Sequence, residues 1–326
     1  MKRRAVITML GGAAAWPLRA RAQQPNMAVI GLVSAGSQAS AAQVVAPVFH
    51  KALAELGYVE GRNLAIENRY AEGQYDRLPA MVTDLVRRQV AAIVASPTPA
   101  ALAAKAATAT IPIIFGVPDD PVKLGLVASL AHPGGNATGV SFLLSDLGDK
   151  QLGLLHELVP AATRFGLLVN PGNPNVEDIT RAMKTSASVI GAEIIVAEAG
   201  DTREIEAAFA ALLRAKAEAL VVGTDPFFYS RRVHLATLAT RHALPAVYNV
   251  REYAEAGGLM SYGTSLREVY RHVGNYTARI LKGEKPADLP VVQSTKFDFV
   301  INLPTARALG IDVPPTLLAR ADEVIE

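Results

Sequence analysis

Val29-Ile-Gly-Leu-Val33, closed by Ser34-Ala-Gly36 and followed over 42–56 by apolar residues at Val45, Val48, Leu53 and Leu56, sets the architecture of this chain. A short apolar run, a glycine turn and then apolar side chains at helical spacing read as strand, turn, helix. The cycle recurs. Strands are predicted over 64–70, 91–95, 111–115 and 139–142, with helices over 78–88 and 100–107 between them. A second series has helices over 150–158, 176–190, 203–216 and 230–242, and strands over 165–169, 193–197, 219–223, 246–249 and 258–262. Strands alternating with helices imply parallel sheets covered on both faces. The fold class is therefore α/β, with two doubly wound parallel-sheet lobes.

Length agrees with two lobes, because 326 residues exceed what one core holds efficiently. The late segments, a helix over 266–282 and a strand over 296–302, come after the second series has completed its own sheet. They read as returns across a hinge. The expected lobes are 27–142 plus about 264–290, and 143–263 plus about 291–326, joined by hinge crossovers.

The N-terminus carries a different signal. Met1-Lys-Arg-Arg4, an uncharged stretch over 5–18 and Ala20-Arg-Ala22 follow the order of a secretory signal peptide. Its apolar part falls short of the ~20 residues of a membrane-spanning helix. Residues 1–22 are expected to be a signal peptide cleaved after Ala22, and the Arg3-Arg4 pair leaves the general and twin-arginine routes both open. Lys2, Arg3, Arg4, Arg19 and Arg21 lie in this segment and no acid does, so the 32 basic residues less these five leave 27 against 30 acids, a net of −3. A mildly acidic mature chain has no electrostatic footprint for nucleic acid. Cysteine is absent, which excludes disulfides, a thiol nucleophile and a lipid-bearing cysteine.

Five motifs then stand out in order along the chain. They are Glu55-Leu-Gly-Tyr-Val-Glu-Gly-Arg-Asn-Leu64, Ser96-Pro-Thr-Pro-Ala100, Asp120-Pro-Val-Lys-Leu-Gly-Leu-Val127, Pro133-Gly-Gly-Asn-Ala-Thr-Gly-Val-Ser141 and Glu255-Ala-Gly-Gly-Leu-Met-Ser-Tyr-Gly263. Through this set the chain resembles the type I periplasmic binding proteins of ABC transporters, in the branch associated with tryptophan and tyrosine uptake. The resemblance implies two lobes joined by hinge strands, a small-molecule ligand in the cleft, no cofactor, and delivery to a membrane permease with its ATPase. The missing lipid-bearing cysteine departs from membrane-tethered relatives and points to a soluble periplasmic protein.

The residues themselves indicate where a ligand would sit. Ligands of open parallel sheets bind beyond the carboxyl ends of the strands, where helix N-termini present free N–H groups. In the first lobe those positions are Ser34, Ser96, Thr98, Val117 in the 116–119 loop, and Ser141. The hydroxyls can hold a carboxylate, although Ser96 and Thr98 are equally suited to capping the helix they precede. In the second lobe they are Asn170, Asp225, Phe227, Tyr248, Arg251 and Tyr262. Asp225 is placed to pair with a ligand ammonium or to serve as a turn or cap residue before Pro226. Phe227, Tyr248 and Tyr262 can stack on an apolar or aromatic side chain, or pack in the core. Arg251 can clamp a carboxylate or form an interlobe ion pair.

Catalytic patterns are not found. His50, His132, His156, His234, His242 and His272 have no metal-ligand spacing, and Ser261 in Gly258-Leu-Met-Ser-Tyr-Gly263 lacks the glycine two positions earlier that a nucleophile elbow needs. Two readings remain: a periplasmic solute-binding component of an ABC importer, taking an amino acid, an aromatic one among them, or a related carboxylate; and an exported two-lobe enzyme acting on a small carboxylate.

Overall fold

A computed structural model describes residues 27–294 and 296–326. The expected signal peptide lies outside the described residues.

The first sheet contains β1 (Ala28–Ser34), β2 (Leu64–Tyr70), β3 (Ala92–Ser96), β4 (Ile113–Val117), β5 (Ala137–Ser141) and β11 (Val292–Gln293), ordered β11-β5-β4-β3-β1-β2 with every pair parallel. Strands β3, β4 and β5 are buried along their whole length, as expected where helices cover both faces. Four helices belong to this stretch of chain: α1 (Gln38–Gln43), α2 (Val45–Glu55), α3 (Leu78–Arg87) and α4 (Thr98–Ala107). The single helix expected over 42–56 is two, because the backbone at Val44 leaves helical geometry at φ −127°.

The second sheet contains β6 (Arg164–Val169), β7 (Glu193–Glu198), β8 (Ala219–Val222), β9 (Ala246–Tyr248), β10 (Met260–Thr264), β12 (Phe297–Asn302) and β13 (Glu323–Ile325). Its order is β13-β12-β10-β9-β8-β6-β7, parallel except for the antiparallel pair β10–β12. The helices following β5 are α5 (Gly148–Leu158), α6 (Val176–Val189), α7 (Thr202–Arg214), α8 (Pro226–Ser230), α9 (Arg232–Arg241), α10 (Arg251–Glu255), α11 (Leu266–Leu281), α12 (Leu303–Ala308) and α13 (Pro315–Leu318). The helix expected over 230–242 is interrupted at Arg231, and α10 occupies part of what reads in the sequence as a loop.

The chain passes between the sheets after β5, after β10 and after β11. Helix α11 returns to the first sheet and packs against α2, β3, β4 and β5, and β11 then extends that sheet beside β5. The last passage falls between Gln293 and Phe297. Close backbone approach at the hinge-proximal end of β10 requires a glycine: a Cβ on Gly263 would lie 1.8 Å from the Asn249 carbonyl oxygen.

In each sheet the strand order reverses once. In the first, β1 lies between β2 and β3; in the second, β6 lies between β7 and β8. These reversal points put the loops after β1 and β3 opposite the loops after β6 and β8.

Candidate functional site

Strand register builds the first wall. Ser34 pairs with both Tyr70 and Ser96, so three side chains share the terminal row of β1, β2 and β3. One row below on the same face stand Leu32, Asn68 and Val94. Val45 and Phe49 of α2 and Leu266 and Tyr270 of α11 face this row, leaving an apolar slot between sheet and helices. Ala41 and Ala46 keep it open, because neither fills the space that a longer side chain would take. The slot joins the interlobe cleft in a cavity of about 160 Å³, well beyond the ~10–15 Å³ that holds a single water.

Most polar groups of this wall are already tied. Ser96 Oγ donates to the Gly116 carbonyl at 2.7 Å and accepts from Tyr270 Oη at 2.7 Å. Thr98 Oγ1 donates to Asp119 Oδ2. Neither side chain caps α4, whose N-cap residue is Pro97. Ser34 Oγ accepts from the Gly36 amide at 3.2 Å. Ser141 is buried beneath the cavity, where its Oγ donates to the Asp119 carbonyl at 3.0 Å. Val117 is wholly buried in the core.

The second wall is a polar hub. Asp225 N-caps α8, its Oδ1 accepting from the Phe227 amide at 2.9 Å. The same oxygen accepts from Asn170 Nδ2 at 3.0 Å and, across the cleft, from Tyr75 Oη at 2.7 Å. Oδ2 accepts from Asn173 Nδ2 at 2.9 Å. Burial pushes the Asp225 carboxyl above the usual carboxylate range, against the pull of these four donors. Burial, then the Asp225 charge, pushes the Tyr75 hydroxyl up. Thr224, Tyr229 and Asn249 complete this side of the cavity.

Further contacts bridge the lobes. The Ser37 amide donates to Ser230 Oγ at 3.2 Å, and Arg232 donates to Gln43 Oε1. The lobes therefore meet around the cavity in a closed arrangement.

Of the positions singled out by sequence, Ser34, Ser96, Thr98 and Asp225 line the cavity, and Asn170 orients Asp225 from behind. Phe227 is buried against Gly73 of the other lobe. Tyr248 is buried and stacks on Tyr253, centroids 4.5 Å apart. Arg251 is outside the cavity: α10 turns it toward Glu255 and Glu323, at 2.9 and 2.7 Å. Tyr262 packs against Phe297 and Phe299 in a separate surface pocket with Lys150. Sequence reasoning missed Tyr75, Tyr70, Phe49 and Tyr270. Register with Ser34 would have found Tyr70; the others come from elements whose packing no local pattern reveals.

The cavity lining contains two carboxylates, Asp119 and Asp225, one from each lobe, and neither lysine nor arginine. Among the described residues no group of three His, Asp or Glu side chains is placed to hold a metal ion, and no helix is long and apolar enough to cross a membrane.

A tyrosine-binding protein of Clostridioides difficile is 29% identical over 263 residues, covering 81% of this chain and 75% of the relative. The solved structure of an ABC domain in complex with L-Trp, from Streptococcus pneumonia, is 28% identical, with a TM-score of 0.82 over 91% of this chain and 99% of that one. A ligand-free, open structure of a substrate binding protein with adhesive properties from Clostridium difficile is 27% identical, covers 92% of this chain and 99% of that one, and superposes with a TM-score of 0.64. The fold is that of the type I periplasmic binding proteins. Residues 26–325 match the profile described as ABC transporter substrate binding protein, and the chain belongs to that family of binding proteins.

Proposed function

We propose that this protein is the periplasmic solute-binding component of an ABC importer, and that it closes on an amino acid with an aromatic side chain. The observation that carries this reading is the cavity itself: its lining holds a carboxylate from each lobe, neither lysine nor arginine, and an apolar slot between sheet and helices. Such a lining favours a cation, and burial of Asp225 makes a ligand ammonium the group that would let it ionise. The ligand carboxylate is assigned to the N-terminus of α4, where the Thr98 amide lies, with the Ser34 hydroxyl as a second donor. An acid lacking the ammonium would meet neither lysine nor arginine in the lining, and Arg251 is engaged elsewhere.

The lobe arrangement supports a closing mechanism. At nearly equal identity, the chain superposes better on the L-Trp complex than on the open, ligand-free relative. Closure around a ligand is a population shift driven by contacts that only the closed state makes, and the permease would receive that closed state.

A thermal-shift screen of residues 23–326 against amino acids, aromatic acids and small carboxylates tests this. A ligand at ~100 times its dissociation constant stabilises the folded state by ~2.7 kcal/mol. Aromatic amino acids are expected to raise the midpoint and to be recovered unchanged. A shift confined to acids without an ammonium would overturn the ligand assignment, and consumption of the hit would replace the transport reading with the enzyme one.

A further inference from the structure

Arg232 and Glu252 are two buried charged side chains of the second lobe. Arg232 is buried; its guanidinium donates to the Tyr229 carbonyl at 3.1 Å, lies over the Tyr229 ring at 4.8 Å, and reaches across the cleft to Gln43. Glu252 on α10 is only 4% exposed, and neither carboxylate oxygen has a hydrogen-bond partner among the described residues. A buried acid without a donor is costly and calls for an explanation. The charged and titratable groups facing Glu252 are Arg251 and Glu255 on its own helix, Arg232 of α9 and Tyr229 of α8. Arg251 is held by Glu255 and Glu323, which leaves Arg232 as the cation able to change partner.

We propose that Arg232 is a two-position latch, bonded to Gln43 of the first lobe when the lobes are closed and to Glu252 of its own lobe when they open. Separation removes Gln43 from α9, since Gln43 belongs to α1 of the other lobe. The guanidinium then turns to the nearby carboxylate, and the ion pair stabilises the open form. Protonation of Glu252 abolishes that pair, so acid favours closure. Burial raises the Glu252 carboxyl above its ordinary range, which brings its titration toward neutral pH.

The proposal rests on the closing mechanism above, and its test keeps the two separable. L-tyrosine affinity is measured by calorimetry between pH 5 and pH 8 for the wild type, Glu252→Gln and Gln43→Leu. Tyrosine's own α-groups do not titrate in this range, and any slope from Asp225 in the cavity is common to all three proteins. Wild-type affinity is expected to fall roughly tenfold more across the range than that of Glu252→Gln, about one decade of coupling. At pH 8 Glu252→Gln is expected to bind more tightly than wild type. Gln43→Leu, an exposed substitution that does not threaten folding, is expected to weaken binding about fivefold at every pH. Parallel pH profiles for wild type and Glu252→Gln, or an unchanged affinity in Gln43→Leu, overturn the latch. Failure of any amino acid to bind would instead overturn the ligand assignment beneath it. Should Glu252→Gln not fold, the Gln43→Leu result alone decides.

Discussion

In the first sheet the terminal row of Ser34, Tyr70 and Ser96 opens downward into a slot, whereas in the second the loops after β6 and β8 close on each other through Asp225. Both walls stand at a reversal of strand order, so topology alone does not separate them. Side-chain volume does. Small residues, Ala41 and Ala46, face the first row, while in the second lobe Phe228, Tyr248 and Tyr253 fill the space beside the hub and are wholly buried. One wall thus offers volume for a side chain, and the other offers a carboxyl group held in place by its donors. The polar groups follow the same division. Hydroxyls of the first wall are satisfied within their own lobe, by Gly116, Tyr270 and Asp119. Asp225 takes one of its four donors from the opposite lobe, so the hub is also a closure contact.

The severest way to break this division is to empty the hub. Asp225→Ala leaves the Tyr75, Asn170 and Asn173 donors without their acceptor, and tyrosine affinity measured by calorimetry is expected to fall about 100-fold. A loss of only a few-fold would mean that charge at this wall is incidental to binding.

Filling the slot tests the other wall. Ala46→Phe is expected to weaken aromatic amino acids about 30-fold and to affect alanine much less, with little change in melting temperature, because the added ring occupies the slot rather than the core. Equal losses for large and small amino acids would show that the slot does not receive the ligand side chain.

A subtler change separates closure from recognition. Tyr75→Phe deletes only the hydroxyl that reaches Asp225, and stopped-flow measurements are expected to show roughly fivefold faster ligand dissociation with association nearly unchanged. The smallest effect belongs to Ser230→Ala, which removes the acceptor of the Ser37 amide at the edge of the interface; about a twofold loss is expected. If Ser230→Ala matched Tyr75→Phe, closure energy would lie in the rim rather than the hub.

The sequence by itself determined the alternation of strands and helices, because periods of two and 3.6 are local properties of the chain. It also placed Ser34, Ser96, Thr98 and Asp225 at the cavity, since the carboxyl end of a strand is visible as the end of an apolar run. Tertiary structure alone decided the rest. The aromatic residues show this most clearly: Phe227, Tyr248 and Tyr262 carry the same stacking chemistry in sequence, yet packing directs them to Gly73, to Tyr253 and to Phe297. Arg251 turned from a ligand candidate into an ion pair because the fold brings it to Glu323, 72 residues further along the chain. Tyr75 sits beside Asp225 across 150 residues of chain, and the slot needs α2 and α11 laid on one sheet face. Local periodicity encodes which face of an element is apolar, but which elements meet is fixed by burying those faces together, a property of the whole chain.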